Sequence, residues 1–289
     1  MINYLRLLRV HQWIKNLFIF VPAFFDQKLL DVSCLSQVFT GFLAFSFVAS
    51  SVYVLNDYLD LEEDRKHPKK QFRPLASGQI SVFHAFSICS VILLAGIALS
   101  FYLSPLFLLF VGTYLVLNLF YTLRLKHVPI LDVSIISFGF VLRVLAGGVL
   151  CFIEISEWLI LITFVFALFI ALAKRRDDVL LFLKSGEKTR KVVDGYNLDF
   201  LNIAMSIMAS VVIVSYMMYS ISDEVISKLG TEYIYLTVIF VVLGIFRYLQ
   251  MAFVEENTGS PMEIIYYDRF MQLTVCAWLA SVFVLLYFF

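Results

Sequence analysis

Four oxygen-bearing side chains recur at helical spacing near residue 60. Asn56, Asp60 and Asp64 are four residues apart, and Asp57 lies three residues before Asp60, so in an α-helix all four share one face. Carboxylates crowded in this way repel one another unless a cation binds between them. Oxygen-only ligands are the kind that Mg²⁺ prefers. The spacing therefore predicts a magnesium site on these aspartates, with Asn56 orienting a ligand; the alternative is a solvated helix end.

Basic residues follow this acidic stretch. They are Arg65, Lys66, Lys69, Lys70 and Arg73. Pro74 and Gly78 predict a turn directly after them. Bases beside a magnesium site suit a ligand with several phosphates, because they neutralise oxygens that the metal leaves unpaired. Its proline neighbour makes Arg73 the preferred phosphate ligand, although bases are also expected wherever a loop lies on the cytoplasmic side of a membrane.

Further polar residues that could bind a substrate lie near the ends of apolar stretches. They are Lys15, Tyr121, Lys126, Asp132, Lys174 and Arg175. Arg143 differs because it lies deep in an apolar run, about three helical turns from Asp132 and on the same helix face. An arginine inside a membrane span is by default functional or the partner of a functional residue. A purely structural contact is the alternative for Arg143.

The elements that must position these side chains are membrane-spanning helices. Apolar residues make up 61% of the 289 positions, and the mean hydropathy of +0.90 excludes an ordinary soluble domain. About 20 helical residues cross a hydrocarbon core of about 30 Å. The sequence predicts an all-α, polytopic membrane protein with a single domain, 1–289, and nine transmembrane helices. The predicted spans are 14–30, 36–58, 80–102, 105–123, 130–150, 157–176, 202–221, 233–251 and 270–289.

The basic residues also predict the orientation of the chain. Of the 22 Lys and Arg residues, 19 fall in segments on one side of the predicted spans, Lys28 and Lys228 fall on the other, and Arg143 lies within a span. Such a bias marks the cytoplasmic side. We therefore expect a cytoplasmic N-terminus and a multi-pass protein of the inner membrane, with its active site facing the cytosol.

The cysteines and histidines carry no recognisable motif. Cys34, Cys89, Cys151 and Cys276 are scattered through apolar runs without CxxC spacing, so we expect small core residues and neither a disulfide nor a zinc framework. The four histidines show no metal-ligand spacing. A nucleic-acid partner is not expected, and the sequence is compatible with a homo-oligomer.

The pattern N56-D-x-x-D60-x-x-x-D64 after the second predicted span resembles the first motif of the UbiA superfamily of intramembrane prenyltransferases. Aromatic-prenylating members carry a second, DxxxD-type motif after the sixth span, where this chain has ALAKRRDDV, 171–179. Its other motifs resemble the decaprenyl-phosphate phosphoribosyltransferase branch. They are RVHQWIKN (9–16), RPLASG (73–78), YxxxxKHxxxxD (121–132), LRVLAGG (142–148), AKR (173–175), TRK (189–191) followed by Tyr196, and GSPMEIIYYDR (259–269).

This resemblance implies a donor, 5-phosphoribosyl 1-diphosphate, and an acceptor, a polyprenyl phosphate. The products would be polyprenyl-phosphoryl 5-phosphoribose and pyrophosphate, for the synthesis of cell-envelope polysaccharide precursors. Mg²⁺ on Asp57, Asp60 and Asp64 would stabilise the leaving diphosphate, and the acceptor phosphate is already an anion, so no general base is required. The candidate cationic groups for the phosphates are Lys15, Arg73, Lys126, Lys174 and Arg175.

Two other functions remain open at this point. An aromatic prenyltransferase of the same fold would use a polyprenyl diphosphate donor, but Lys174 and Arg175 stand where its second aspartate motif is expected. A transporter or lipid-binding scaffold would carry broken helices at mid-membrane, whereas the polar residues of this chain collect at one face.

Overall fold

The computed structural model describes residues 2–66, 70–185, 194–256 and 267–288, and within these ranges every regular element is a helix. Eight helices are long and apolar enough to cross a membrane. They coincide within a few residues with the last eight predicted spans, except that the helix predicted at 157–176 continues to Ser185, and the all-α prediction is confirmed for those segments. The α-helices are α1 (Ile2–Leu7), α2 (Val21–Phe25), α3 (Val32–Leu59), α4 (Leu61–Lys66), α5 (Val82–Leu103), α6 (Pro105–Leu123), α7 (Leu131–Leu150), α8 (Glu157–Ser185), α9 (Leu198–Ile221), α10 (Asp223–Leu229), α11 (Val238–Phe253) and α12 (Arg269–Tyr287).

The first predicted span, 14–30, is not a single α-helix. The chain here forms a 3-10 helix, Val10–Phe20, followed by α2 and by a short 3-10 helix, Lys28–Leu30. The count of nine transmembrane helices is therefore not confirmed, since the described residues contain eight candidates.

Hydrogen bonds to α3 explain the 3-10 geometry. The indole Nε1 of Trp13 donates to Ser50 Oγ at 2.9 Å, and Asn16 Nδ2 donates to Ser46 Oγ at 2.9 Å. Three residues of a 3-10 helix rise about 6 Å, as do four residues of an α-helix. Trp13 and Asn16 are three residues apart on the 3-10 helix, and their partners Ser50 and Ser46 are four residues apart on α3. Because these two spacings have the same length along the helix axes, the 3-10 geometry allows both hydrogen bonds to form.

Side-chain caps set the beginnings of the long helices. Asp31 accepts a hydrogen bond from the Ser33 amide at 2.8 Å and starts α3, and Ser81 caps α5 through the His84 amide. Ser104 ends α5 and caps α6, whose first residue is a proline.

The described chain forms two compact units. Unit 1 contains the described residues of 1–24, 28–125 and 142–154, and unit 2 those of 25–27, 126–141 and 155–289. Helix α7 contributes residues to both. Unit 1 holds the acidic motif, and unit 2 holds the AKR motif.

Two glycines allow helix backbones to meet within unit 1. A Cβ atom on Gly96 of α5 would lie 2.9 Å from the carbonyl oxygen of Ala44 in α3. A Cβ atom on Gly147 of α7 would lie 2.0 Å from the carbonyl oxygen of Ile19. No larger residue fits at either position without moving a backbone. The LRVLAGG motif thus seats the 3-10 helix Val10–Phe20 against α7.

The core of unit 2 lies among α8, α9 and α11. Its central side chains are Phe169, Leu201, Met205, Ile245 and Ala252, all buried. The Tyr248 ring packs against Phe169 with centroids 5.2 Å apart. This core holds the end of α8, which carries the basic motif, next to α9 and α11.

A disulfide joins Cys34 at the start of α3 to Cys151 at the end of α7. The expectation that all four cysteines are small core residues is therefore wrong for this pair. The two Cα atoms are 5.2 Å apart, within the range that a disulfide spans. Because the two cysteines are 117 positions apart in the sequence, the local sequence contains no signal for the pairing. Cys89 and Cys276 remain thiols, one buried and one exposed.

We expect denatured, unreduced protein to react with a thiol reagent at only two cysteines, Cys89 and Cys276, because the other two are oxidised. After reduction all four should react. Mass spectrometry of the alkylated protein measures both states. Labelling at four positions before reduction would contradict the pairing, and a Cys276→Ser variant, expected to show one label, is the control.

Candidate active site

The acidic motif spans the junction of α3 and α4. Helix α3 ends at Leu59, Asp60 is its C-cap, and α4 starts at Leu61. The helical hydrogen bonds nevertheless continue, from the Asp60 amide to the Asn56 carbonyl at 3.0 Å and from the Asp64 amide to the Asp60 carbonyl at 2.8 Å. The predicted single helix is thus interrupted at Asp60, but four-residue hydrogen bonding links Asn56, Asp60 and Asp64 across the junction.

Asp57 and Asp64 converge on one arginine. Arg73 Nη1 donates to Asp57 Oδ1 at 3.0 Å and to Asp64 Oδ2 at 2.5 Å. Both aspartates are only 2–3% exposed. Because a single nitrogen contacts both oxygens, the two carboxylates point at the same place, where a cation already lies.

The RPLASG turn fixes Arg73 in this position. The Arg73 amide donates to the Lys70 carbonyl at 2.9 Å, and its own carbonyl accepts from the Ser77 amide at 2.9 Å. Pro74 and Leu75 are buried beneath the turn. The motif therefore directs this guanidinium group towards the aspartates.

Arg9 is a second cation at the acidic motif, and the sequence alone did not single it out. Its Nη2 atom forms an ion pair with Asp57 Oδ1, and its guanidinium carbon lies 5.1 Å from the centre of the Tyr53 ring. Arg9 has a left-handed backbone, φ 49°, and precedes the 3-10 helix Val10–Phe20. Its place at the start of RVHQWIKN was the only available signal.

The remaining residues of the motif are more open. Asn56 Nδ2 donates to Asp60 Oδ2 at 3.0 Å, and both side chains are half-buried. Glu62 and Glu63 are exposed, and Glu62 pairs with Arg65 at 2.9 Å. An exposed pair of this kind contributes little to stability.

The acidic motif fits a magnesium ion that a substrate helps to bind. Its ligand atoms are all oxygens, and two of them already converge on a cationic nitrogen. In the described residues, no three acidic, His or Cys side chains are clustered as a ready-made metal site. Mg²⁺ usually takes one or two carboxylates and completes its shell with water and phosphate oxygens, so two converging aspartates suffice.

The 3-10 helix Val10–Phe20 sorts its side chains into three rows, because it has three residues per turn. Asn16 and Ile19 are buried in one row, Ile14 and Leu17 are exposed in the next, and Lys15 lies in the third, which is half-buried. His11, in the same row as Ile14 and Leu17, is exposed.

Arg143 is buried within unit 1 and engaged by protein groups. Its Nε atom donates to Asn16 Oδ1 at 2.7 Å and its Nη2 atom to the Tyr114 hydroxyl at 3.2 Å. The guanidinium group also lies over the Phe45 and Tyr114 rings, 4.9 and 4.7 Å from their centres. These contacts favour a structural role for Arg143.

A second buried network lies in unit 2. Asp132 accepts hydrogen bonds from Arg175 Nε at 2.5 Å and from the Tyr196 hydroxyl at 2.6 Å, and Arg175 Nη1 donates to Asp178 at 2.9 Å. Asp132 and Arg175 are almost fully buried. Burial, and next the bond to Asp132, raises the pKa of Tyr196, so its phenol stays a donor. The predicted ligands Asp132 and Arg175 therefore bind each other, which favours positioning over direct substrate contact.

Tyr196 also holds the turn before α7. Its hydroxyl accepts from the Ile130 amide at 2.7 Å, and Ile130 has φ 70°, a strained value for a β-branched residue. Gly195 packs so closely on Pro129 that a Cβ there would lie 2.1 Å from Pro129 Cγ. The segment after TRK is thereby fastened to the loop that carries Lys126.

Three other predicted ligands differ from Asp132 and Arg175 in their exposure. Lys126 is half-buried in the 3-10 helix Leu125–His127, Lys174 is exposed on α8, and Tyr121 is half-buried near the end of α6. The bases Lys126 and Lys174 of unit 2 are thus accessible to a solute, unlike Arg175.

Arg176 is a buried residue that the sequence did not highlight. Its Nε atom donates to Asn202 at 2.7 Å, and the guanidinium group lies 5.2 Å from the centre of the Phe253 ring. Arg247 pairs with Asp268 at 2.6 Å. His67, Lys69, TRK (189–191) and residues 259–266 of GSPMEIIYYDR lie outside the described residues.

Comparison with known proteins adds a family and relatives. The UbiA prenyltransferase family profile matches residues 25–274. The chain is 31% identical to a decaprenyl-phosphate phosphoribosyltransferase of Mycolicibacterium smegmatis, over 98% of this chain and 92% of the relative. It is 31% identical to the protein of the same name in Corynebacterium glutamicum, over 98% and 86%. A UbiA homologue from Archaeoglobus fulgidus, solved with GPP and Mg²⁺, has the same fold with a TM-score of 0.74, at 20% identity over 98% of this chain and 99% of that one.

We expect Asn16→Ala to lower the free energy of unfolding by about 1–3 kcal/mol, because it leaves the buried Nε of Arg143 without this acceptor. Asn118→Ala is the matched control, since Asn118 bonds only to the Tyr114 carbonyl of its own helix. Thermal unfolding in detergent measures both variants. Equal stability of the two would contradict a dependence of Arg143 on Asn16.

Tyr196→Phe should also destabilise the protein by about 1–3 kcal/mol, because Asp132 loses a buried donor. The exposed Tyr102→Phe serves as the control and should melt like the wild type. Unfolding curves of the three proteins test this expectation. A wild-type melting temperature for Tyr196→Phe would refute a stabilising role for the Tyr196 hydroxyl.

Proposed function

Because this chain belongs to the UbiA prenyltransferase family, we propose that it transfers 5-phosphoribose from 5-phosphoribosyl 1-diphosphate to a polyprenyl phosphate and releases pyrophosphate. The similarity to phosphoribosyltransferases over nearly the whole chain supports the substrates. The observation that carries the reaction is the convergence of Asp57 and Asp64 on one cationic point. The whole chain, 1–289, is taken as one transferase domain, since the family match runs through both units.

Leaving-group stabilisation is the main demand of this reaction. Cleavage of the C1–O bond puts negative charge on pyrophosphate, and a magnesium ion held by Asp57, Asp60 and Asp64 would neutralise it. Asn56 orients Asp60 through its 3.0 Å hydrogen bond. Arg73 lies where it can bind the donor's phosphate oxygens as soon as it leaves the carboxylates.

The acceptor needs positive charge and no base. A phosphate monoester is an anion at neutral pH, so bringing it to the donor requires cations that offset repulsion. We assign this role to Lys126 and Lys174, which solvent reaches, with Lys15 and Tyr121 as further contacts. Asp132, Arg175 and Arg143 act by positioning, because their polar atoms bind protein partners.

The membrane arrangement that we propose has nine crossings and a cytoplasmic N-terminus. The 11-residue 3-10 helix and the five residues of α2 together extend about 30 Å, enough to cross the hydrocarbon core despite their small number. Cys34 and Asp57 lie about 35 Å apart along α3, at opposite membrane faces. A disulfide favours an oxidising compartment for Cys34. This supports our proposal that the aspartates lie on the cytosolic side of the inner membrane, where a soluble donor would enter and the polyprenyl chain would lie in lipid.

Purified protein in detergent should convert labelled 5-phosphoribosyl 1-diphosphate and a polyprenyl phosphate into labelled lipid in the presence of Mg²⁺. Chelation of divalent ions should abolish this product. No product with any chain length of acceptor, together with prenylation of 4-hydroxybenzoate from a polyprenyl diphosphate, would replace the proposal with the aromatic prenyltransferase.

Asp60→Ala should lower kcat/KM at least about 100-fold, a loss of about 2.7 kcal/mol of transition-state stabilisation. Glu62→Ala is the control, because Glu62 is exposed and pairs with the exposed Arg65. The same assay measures both variants. Wild-type rates in Asp60→Ala would reject the metal assignment.

A further inference from the structure

The acidic motif of unit 1 is closed by two arginines. Asp57 and Asp64 have side chains that are 3% exposed, whereas those of Arg9 and Arg73 are 20% and 27% exposed. The carboxylates thus lie inside the cluster and the guanidinium groups lie nearer its surface. The arginines are therefore the more accessible charges of this group.

The charges of Asp57, Asp64, Arg9 and Arg73 balance one another without a metal. Two carboxylates face two guanidinium groups, and Asp57 contacts both of them. A free divalent cation could bind these carboxylates only by displacing the arginines. Both guanidinium groups would then lie next to the metal ion without a carboxylate partner. Breaking a buried ion pair costs several kcal/mol when one partner is left uncompensated. The cluster therefore disfavours a bare metal ion.

A metal diphosphate complex meets no such penalty. Its metal replaces the arginines on Asp57 and Asp64, while its phosphate oxygens offer the arginines new partners of the kind guanidinium groups bind best. The Arg9 guanidinium group packs on the Tyr53 ring, and the RPLASG turn holds the backbone of Arg73. Both arginines therefore stay next to the aspartates when they change partner.

We propose that Arg9 and Arg73 are exchangeable counterions, which keep the site closed to free divalent cations and admit the metal as its diphosphate complex. This rests on the proposed function in one respect, that the donor is a diphosphate. Metal and diphosphate then bind cooperatively. The metal takes the place of the arginines on the aspartates, and the phosphate oxygens bind the arginines that the metal has displaced. Arg9 becomes a phosphate-binding residue of the donor site.

Binding of Mn²⁺ as a probe for Mg²⁺ tests the proposal without turnover. Electron paramagnetic resonance measures the affinity of the detergent-purified protein for free Mn²⁺ and for Mn²⁺ complexed with imidodiphosphate. Arg9→Gln should bind free Mn²⁺ at least about fivefold more tightly than the wild type and the complex at least about fivefold more weakly, the lower end of typical coupling between linked ligands. Arg6→Gln, which removes an exposed charge from the same terminal segment, should resemble the wild type in both measurements.

The opposite signs separate counterion exchange from a structural effect, because a distorted site would weaken both ligands. Unchanged or weaker binding of free Mn²⁺ by folded Arg9→Gln would overturn the proposal. If that variant fails to fold, the wild type decides alone: it must take up the complex at least about fivefold more tightly than free Mn²⁺, and equal affinities would refute the exchange.

These outcomes are independent of the proposed transfer reaction. Opposite shifts in Arg9→Gln would stand even if the phosphoribosyl donor were replaced by another diphosphate. Confirmed phosphoribosyl transfer with no shift in Mn²⁺ affinity would remove the counterion exchange alone.

Discussion

A charge inside a membrane protein must find its partner within the protein, because lipid cannot solvate it. In unit 1, Asp57 and Asp64 meet this requirement through Arg9 and Arg73. In unit 2, Asp132 meets it through Arg175 and a tyrosine hydroxyl. The Arg9–Asp57 and Arg175–Asp132 pairs join segments that are 48 and 43 residues apart, so neutralising the charge also fastens helix ends and loops together.

The same requirement separates residues that position from residues that can contact a substrate. Arg143 is buried between protein acceptors and aromatic rings, and Arg175 is buried against Asp132 and Asp178, so both arginines hold together the segments around them. Lys126 and Lys174 are more exposed. A basic residue in a motif is therefore not by itself a phosphate ligand; its accessibility to a solute decides which of the two roles it can take.

Polar contacts also determine backbone geometry near the site. The 3-10 helix Val10–Phe20 places Trp13 and Asn16 opposite two serines of α3, and Asn16 in turn holds Arg143 of α7. Arg9 directly precedes this helix and forms an ion pair with Asp57, which lies near the C-terminal end of α3. One run of hydrogen bonds thus links the RVHQWIKN motif, the acidic motif and the buried arginine within unit 1.

The sequence by itself determined the positions of eight spans and the location of the acidic and basic motifs, because hydrophobic runs and clustered charges are local properties of the chain. It also indicated that Asp57, Asp64 and Arg73 act together, since helical spacing and the turn at Pro74 bring them close. The first span was wrong as an α-helix, because three-residue geometry there depends on Ser46 and Ser50 of a different helix. Only the tertiary structure decided that Cys34 pairs with Cys151, that Arg9 pairs with Asp57, and that Arg175 pairs with Asp132. Such partners are separated by many residues, and the packing of helices, which no local pattern encodes, selects them.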